Sequence, residues 1–392
     1  MNKMSDFLFT DFQINTPYYC FNTDIFCERV NMLRRKIKGK AKICYSLKSN
    51  PWFVEAAHRC CDYIEVCSAG EWKLCLSSGV PSELLSIGGI TKTKSECHEI
   101  AELIPYRVSV ESPCQLDMLE YAAKLQNHKL SILLRLTSGN QFGMPMEQIT
   151  EIYHNANQYP HLVFKGIHYY PGTQKKNHRD AEQLFKVIHQ ALLQVPVEEI
   201  QFGAGIGAAL YVGQSEDEVE GYMDKIAEGI TSLAEHHEVT LECGRYLSYP
   251  AGSYVTTVLD TKEQAGRKFL IVDGGINHLN YYGQIGGKPI PVIAQLDGKG
   301  DSDNQYTICG SLCTVSDILA KDAVLPDTAV GDRLMFFNTG AYSVTEARSL
   351  FLSRDLPTVV IKSSHETRVV RKMFSTYPLN YCSQTERNDD NE

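Results

Sequence analysis

The first two-thirds of the chain repeats one pattern of hydrophobic and polar positions: a short β-rich run, a turn and an amphipathic segment. The amphipathic segments carry apolar residues at helical spacing, as in RDAEQLFKVIHQALLQ and EGYMDKIAEGITSLAEHH. The β-rich runs lie at 42–50, 63–69, 84–90, 107–112, 130–136, 164–173, 198–207 and 239–246. Because strands that alternate with helices pair in parallel, these units predict an α/β fold built on a closed (β/α)8 barrel.

The pattern changes after Pro250, and this change divides the chain into predicted domains. Beyond it, runs such as KFLIVDGG and QYTICGSLC are joined by short Gly/Asp turns, which is typical of an antiparallel β domain. The N-terminal segment TPYYCFN also has strand character. We expect an N-terminal strand packing with the β domain (1–22), a barrel (23–248), a β-sandwich or β-barrel domain (249–382) and a disordered polar tail (383–392).

Composition and charge narrow the class of protein. A net charge of -9 argues against a nucleic-acid partner, which requires a basic surface. Membrane insertion is not expected, because no apolar run approaches about 20 residues and Asp6 and Asp11 interrupt any signal-peptide core. The 13 cysteines are odd in number, scattered and without a CxxC pair. They predict free thiols in a reducing cytoplasm, with neither a metal site nor a disulfide framework.

Catalytic groups of such barrels lie at the carboxyl ends of the strands, so those positions hold the candidate chemistry. An amine, carboxylates, an aromatic ring, a glycine-rich turn and an arginine together suit an anionic, aromatic cofactor. The candidates are Lys48, Glu65, Arg135, Tyr170 to Thr173, Gly203 to Gly207, and Glu242 to Arg245.

Each candidate also has a plainer interpretation. Lys48 is either a partly desolvated amine that forms a Schiff base or a surface lysine at a strand end. The turn Gly203–Gly207 has GxGxG spacing, not the dinucleotide fingerprint, so it either cradles a phosphate or simply turns tightly. Glu242 and Arg245 suit a pyridine nitrogen and a phosphate, or form a structural ion pair at the barrel rim.

Ten motifs in chain order resemble the fold-type III pyridoxal-phosphate decarboxylases, the family of the ornithine, arginine and diaminopimelate enzymes. They cover nearly the whole chain: YSLKSNP, IEVCSAGEW, RLTSGNQFGM, GIHYYPGTQ, FGAGIG, LECGRYLSYPAG, VDGGIN, CGSLCTVSDILAKDAVLP, GDRLMFFNTGAYSVTEA and LSRDLPTVVI. The resemblance implies an alanine-racemase-like barrel with a C-terminal antiparallel β domain. It also implies pyridoxal 5'-phosphate as the cofactor and a head-to-tail homodimer with shared active sites.

The resemblance assigns roles to individual residues. Lys48 would bind the cofactor covalently, Glu242 would pair with its ring nitrogen, and Cys313 of the partner subunit would be the thiol that returns a proton. The phosphate would be held by Thr173, Gly205, Gly244, Arg245 and Tyr342. Further cofactor contacts would come from Arg135, Tyr170, Gly203 and Cys243, and substrate contacts from Arg245, Cys313, Thr314 and Tyr342. Taken alone, Cys313 would be core filler and Tyr342 an ordinary half-buried tyrosine.

A carboxylate at the ring nitrogen bears on the type of reaction. It keeps the pyridine ring protonated, which strengthens the ring as an acceptor of the electron pair left by departing CO2. Racemases of this fold place an arginine there instead. Glu242 therefore favours decarboxylation, with an amino-acid racemase and a non-catalytic cofactor-binding regulator as the alternatives.

The substrate-binding positions depart from the family pattern. Thr314 follows Cys313, where the ornithine and diaminopimelate enzymes have an acid that binds a distal ammonium. The stretch HLNYYGQIGG replaces an arginine-containing segment that binds a distal carboxylate, and Tyr170 replaces the histidine of ornithine decarboxylase. Because an unpaired buried charge is costly, we expect a substrate whose side chain carries an acyl, amide or thioester group. A meso-diaminopimelate decarboxylase is the alternative.

Overall fold

The computed structural model describes residues 4–8, 14–297 and 303–381. The chain forms two compact units, one of residues 23–251 and one of residues 1–22 with 252–392. The predicted disordered tail at 383–392 lies outside the described residues. Within the described ranges, none of the helices has the length and apolarity required to cross a membrane.

The first unit is a closed parallel barrel, which confirms the predicted (β/α)8 architecture. Each strand pairs in parallel with the next, and the last strand closes the ring on the first. The strands are β2 (Lys42–Ser46), β3 (Tyr63–Val66), β4 (Leu85–Ile87), β5 (Arg107–Val110), β6 (Leu130–Leu136), β7 (Leu162–Tyr169), β8 (Glu199–Gly203) and β9 (Glu238–Cys243).

Helices follow the barrel strands, and one further helix precedes them. Several begin at polar caps: the Ser68 and Ser112 side chains accept from the backbone N–H groups of Glu71 and Gln115, which satisfies helix-end donors. The helices are α1 (Thr23–Lys36), α2 (Val54–Cys60), α3 (Ala69–Ser77), α4 (Lys94–Leu103), α5 (Pro113–Gln126), α6 (Met146–His154), α7 (His178–Leu192), α8 (Asp217–Leu233) and α9 (Arg245–Ser248).

The second unit is a sheet in the order β14-β13-β11-β10-β1-β16-β17, with β15 pairing β10 and β12. Aromatic side chains such as Tyr19, Phe21 and Tyr254 fill its core. Its strands are β1 (Tyr18–Asn22), β10 (Gly252–Gln264), β11 (Arg267–Val272), β12 (Ile293–Gln295), β13 (Asp303–Cys309), β14 (Ile318–Pro326), β15 (Arg333–Phe337), β16 (Thr358–Lys362) and β17 (Thr367–Arg371).

Six of its eight strand pairs are antiparallel, as expected, and two are parallel, so the sheet is mixed. β1 pairs in parallel with β16, and β11 pairs in parallel with β13. Parallel neighbours need a long connection. The whole barrel separates β1 from β16 along the chain, and about thirty residues that include β12 separate β11 from β13. The short turns that suggested hairpins occur elsewhere in the domain.

Candidate active site

Lys48 lies just beyond β2, in a 3-10 turn spanning Leu47–Ser49. Its Nζ is 2.6 Å from Oε1 of Glu65 and 3.4 Å from Sγ of Cys67. The parallel register of β2 and β3 accounts for this contact, because Ser46 lies opposite Glu65. The Glu65 side chain is 5% exposed, whereas that of Lys48 is 43% exposed. A buried carboxylate therefore holds an accessible amine at the end of the barrel.

Glu242, on β9, is buried, and two side-chain nitrogens approach one of its oxygens. Nε2 of Gln201 lies 2.6 Å and Nε2 of His168 lies 3.1 Å from Glu242 Oε1. Burial alone would raise the pKa of Glu242, but the close approach of His168, with Lys48 and the hydrogen bond from Gln201, holds it well below its usual range. Glu242 is therefore a buried carboxylate that stays ionised.

Tyr170 and Gly203 form one wall beside that carboxylate. A Cβ on Gly203 would lie 2.5 Å from Cδ2 of Tyr170 and 3.4 Å from Oε2 of Glu242. Burial raises the pKa of Tyr170, while Lys48 and a hydrogen bond with Thr173 act against that rise. The aromatic ring thus lies near both the amine and the carboxylate.

The loops after β7 and β8 are joined to each other. The backbone N–H of Lys175 donates to the carbonyl of Gly205 (2.8 Å), and the N–H of Gly207 donates to the carbonyl of Lys175 (3.0 Å). Gly205 has φ +61°, and a Cβ there would overlap the carbonyl oxygen of Gly172. Glycine is required at this position because any side chain would separate the loops. The result is a backbone-lined cradle that includes Thr173.

The turn after β9 packs on the turn that carries Lys48. A Cβ on Gly244 would lie 3.0 Å from Cβ of Ser49. Arg245 begins α9 and is buried, and its charge partly offsets the burial that raises the pKa of Tyr211 to about 12. Burial also raises the pKa of the Cys243 thiol to about 12, so this side chain is a neutral packing group.

Arg135 is engaged by a neighbouring carboxylate. Its Nη1 lies 2.5 Å from Oε1 of Glu111, and the ring of Phe142 lies 4.6 Å from its guanidinium carbon. The other oxygen of Glu111 accepts from the backbone N–H of Gly143 at 2.8 Å. Arg135 therefore ties the loop after β6 to the end of β5, and a contact with a cofactor remains a prediction.

Cys313, Thr314 and Tyr342 belong to the second unit. Cys313 is exposed in the turn between β13 and β14, where Asp317 accepts from the backbone N–H of Leu312 at 2.8 Å. The Thr314 hydroxyl is hydrogen-bonded to that of Ser316 at 3.1 Å. Tyr342 has φ +66°, and its carbonyl accepts a backbone hydrogen bond at 2.9 Å.

Sequence reasoning missed three groups beside Glu242 and Lys48, although it had singled out Glu65, which holds Lys48. His168 and Gln201 interrupt the apolar runs FKGIHYY and EEIQFG, and both are buried. A polar residue inside a barrel strand was the available signal, because burial of such a side chain requires a partner. Cys67, one residue beyond β3, carried no signal among so many cysteines.

Comparisons with known proteins agree on one family. A family model described as "Pyridoxal-dependent decarboxylase, C-terminal sheet domain" matches residues 19–340. A diaminopimelate decarboxylase from Campylobacter jejuni is 27% identical, covering 84% of this chain and 87% of the relative. The L-glutamyl-[BtrI acyl-carrier protein] decarboxylase of Niallia circulans is 26% identical over 92% of both chains. Diaminopimelate decarboxylase from Helicobacter pylori has the same fold, with a TM-score of 0.81 at 23% identity, covering 93% of this chain and 96% of that one.

The donor set of the barrel fits pyridoxal 5'-phosphate. Lys48 supplies an accessible amine, and Oε2 of Glu242 faces the Gly203 wall while Oε1 accepts from Gln201 and lies beside His168. The loops joined at Gly205 follow β7 and β8, where phosphate commonly binds in these barrels. The family model spans most of the length of this chain. The chain therefore belongs to the ornithine, diaminopimelate and arginine decarboxylase family and is a pyridoxal-phosphate-dependent amino-acid carboxy-lyase.

Proposed function

We propose that this enzyme removes the α-carboxyl group of an amino acid whose side chain ends in a neutral acyl, amide or thioester group. The observation that carries the proposal is the missing pair of counter-charges. Thr314 stands where an acid would bind a distal ammonium, and HLNYYGQIGG (278–287) contains no arginine for a distal carboxylate. A buried ligand charge without a partner is costly, so the outer part of the pocket favours a neutral, hydrogen-bonding group.

The relative that acts on an L-glutamyl group carried by the BtrI acyl-carrier protein supports this proposal. Its match covers 92% of both chains, so the likeness extends over both units. Its named substrate is an acylated one, which is the class that the missing counter-charges favour.

The barrel residues would divide the work of binding. Lys48 would anchor the cofactor while Glu65, 2.6 Å away, holds the amine in place. The backbone of Gly205 and Gly244 with Arg245 would hold the phosphate. When bound, pyridoxal phosphate accepts the electron pair released as CO2 departs. Glu242 Oε2 would bind the protonated ring nitrogen and keep that proton in place.

A homodimer would complete the site. Cys313 is exposed in the second unit, and we propose that the Sγ of Cys313 from a second copy gives its proton to Cα after CO2 has left. The family resemblance is the basis for this proposal. Tyr342 and Thr314 would contribute to phosphate and substrate binding, respectively.

Meso-diaminopimelate decarboxylation is the second candidate. It is favoured by the diaminopimelate decarboxylases among the relatives, including those of Campylobacter jejuni, Zymomonas mobilis and Aquifex aeolicus. Identities of 25–27% do not separate it from the first candidate, since the BtrI relative falls in the same range.

Measuring the release of CO2 from a panel of substrates distinguishes the two candidate functions. The panel contains ornithine, lysine and meso-diaminopimelate beside glutamyl thioesters and citrate-conjugated diamino acids. We expect the highest kcat/KM among the acylated or conjugated substrates, because a site matched to a neutral polar group rejects a charged one by orders of magnitude. Highest kcat/KM for meso-diaminopimelate would establish the second candidate instead.

A variant pair tests the role of Thr314. Thr314→Asp restores an acid after Cys313 and can keep the hydrogen bond that the Thr314 hydroxyl accepts from the Ser316 N–H. It should raise kcat/KM for ornithine or lysine and lower that for the thioester. Val315→Asp, at a side chain that is 97% exposed, places the same charge one residue away and should change neither.

A further inference from the structure

A row of polar side chains crosses the interior of the barrel and ends at Glu242. The row consists of Ser86 on β4, Ser109 on β5, His168 on β7 and Gln201 on β8, and each is no more than 2% exposed. Buried polar groups are destabilising unless they are hydrogen-bonded, so an apolar barrel core would be the simpler solution. The residues are joined in two branches, and both branches meet at Oε1 of Glu242.

The His168 branch reaches Glu242 by proximity. Nε2 of His168 lies 3.1 Å from Oε1 of Glu242, at ion-pair distance but without the alignment of a hydrogen bond. Nδ1 lies 2.7 Å from the Ser109 hydroxyl, which can donate to a neutral ring or accept from a protonated one. The contact with Ser109 therefore fixes the His168 ring with its Nε2 beside the Glu242 carboxylate.

The Gln201 branch fixes the same oxygen without a charge. Its Nε2 donates to Glu242 Oε1 (2.6 Å) and to the Ser86 hydroxyl (2.9 Å), and its Oε1 accepts from that hydroxyl (3.1 Å). The hydrogen bond from Gln201 and the His168 ring packed beside the same oxygen restrict rotation of the carboxylate. The second oxygen then faces Gly203 and the ring of Tyr170.

We propose that His168 is a positioning residue for decarboxylation: with Gln201 it holds the Glu242 carboxylate ionised and turned so that the cofactor's ring nitrogen keeps its proton. The inference rests on the proposed contact between Glu242 and that nitrogen. It assigns a task to a histidine that neither the sequence motifs nor the requirements of the barrel core explain. His168 acts only through Glu242 and touches neither substrate nor cofactor.

The test reads the ring nitrogen itself. Holoenzyme is prepared with pyridoxal phosphate labelled with 15N in the ring, and the 15N chemical shift is followed against pH. In the wild type the nitrogen should stay protonated across the stable pH range. His168→Phe should lose this proton at a lower pH, and His168→Gln, which keeps a neutral donor, should lie between the two.

Activity gives a second readout. His168→Phe should lower kcat by roughly 10- to 100-fold with little change in KM, the scale found when an outer partner of a ligand is removed. His161→Phe is the matched control, because it removes a histidine paired with a carboxylate, Glu120 at 2.6 Å, on the outer part of the barrel. It should leave both the 15N shift and kcat unchanged.

A folded His168→Phe holoenzyme whose ring nitrogen titrates as in the wild type would overturn the proposal. If that variant does not fold, Ser109→Ala decides: it removes only the partner of Nδ1, and an unchanged 15N titration would again overturn it. Glu242→Gln separately tests the underlying assumption that Glu242 contacts the ring nitrogen. A ring nitrogen unaffected by Glu242→Gln would show that Glu242 does not contact it. Neither result depends on which substrate the enzyme uses.

Discussion

At the residue scale, Lys48 and Lys92 of the barrel unit lie in very different surroundings. Lys48 is half exposed and held by one carboxylate. Lys92 is buried, donates to the carbonyls of Gly89 and Ser109 at 2.9 Å, and has its pKa lowered to about 8 by burial despite the nearby charge of Glu111. By pKa alone Lys92 would be the better nucleophile. Lys48 is nevertheless the more accessible amine, because Lys92 is enclosed by its hydrogen-bond partners.

Lys48→Ala should fold normally and lose the covalent cofactor. The side chain is about half exposed and its removal should open no cavity, so the thermal unfolding midpoint should stay close to that of the wild type. Borohydride should fix label into the wild type and not into this variant. A large fall in the unfolding midpoint would show that the Lys48–Glu65 pair is primarily structural.

Sequence alone singled out Lys48, Glu242 and Arg245 as candidates because each stands at a strand end within a motif. It also singled out Glu65, but it did not predict which of the charged groups pair with one another. The pairs Lys48–Glu65, Arg135–Glu111 and Glu242–His168 join residues 17, 24 and 74 positions apart in the chain. Such contacts depend on strand register, and register follows from the closed barrel instead of from any local pattern.

At the element scale, the loops after β7 and β8 depend on glycine. Gly205→Ala should weaken pyridoxal phosphate binding strongly, because the new Cβ would overlap the Gly172 carbonyl and push the loops apart. Gly213→Ala is the matched control, since Gly213 also has a positive φ (+81°) but nothing within 4 Å of its Cβ position. Cofactor affinity measured by fluorescence should fall for the first variant only. Equal cofactor affinities in the two variants would show that the cradle is not part of the phosphate site.

A buried histidine after β11 gives the second unit a pH dependence. His278 lies within hydrogen-bond distance of the Asp355 carbonyl (2.7 Å) and the Tyr254 hydroxyl (3.1 Å). Burial lowers the pKa of His278 to about 4, and the carbonyl of Asp355 only partly offsets this. As the pH falls below about 6.5, the unfolded chain therefore binds a proton at His278 that the folded chain does not bind until the pH is near 4. Stability is retained above about pH 6.5 and is lost as the pH falls from there towards 4.

The His278→Asn variant tests this dependence. Between pH 7 and pH 4 the wild type should lose on the order of 3 kcal/mol of unfolding free energy that the variant does not lose. The comparison uses denaturant unfolding at matched pH, so that other titrating groups cancel. A difference between the two proteins that stays constant with pH would contradict the burial argument.

The elements themselves were largely predictable. Short β-rich runs separated by helical spacing gave all of the barrel strands, although the strands end earlier than the runs, at Ser46 and Tyr169 for example. The residues beyond those ends form turns that carry Lys48 and Tyr170 to Thr173. Strand direction in the second unit was not predictable from short turns, because β1 and β16 pair across the whole length of the barrel sequence.

At the scale of the whole molecule, the proposed site needs residues from two subunits. Lys48→Ala and Cys313→Ala should each be inactive alone. Mixed under conditions of subunit exchange, they should recover about a quarter of wild-type activity, because half of the dimers are hybrids and each hybrid has one intact site. The double variant Lys48→Ala/Cys313→Ala mixed with Lys48→Ala should recover none. No recovery after demonstrated exchange would mean that each chain builds its own site.

The central claim is that the carboxyl end of this barrel binds pyridoxal phosphate through Lys48. The most direct test is borohydride reduction of the holoenzyme followed by peptide mass mapping. We predict one pyridoxyl label per chain, on the peptide that contains YSLKSNP. A label on Lys92 or on another lysine, or a holoenzyme in which reduction fixes no label at all, would contradict this account of the site.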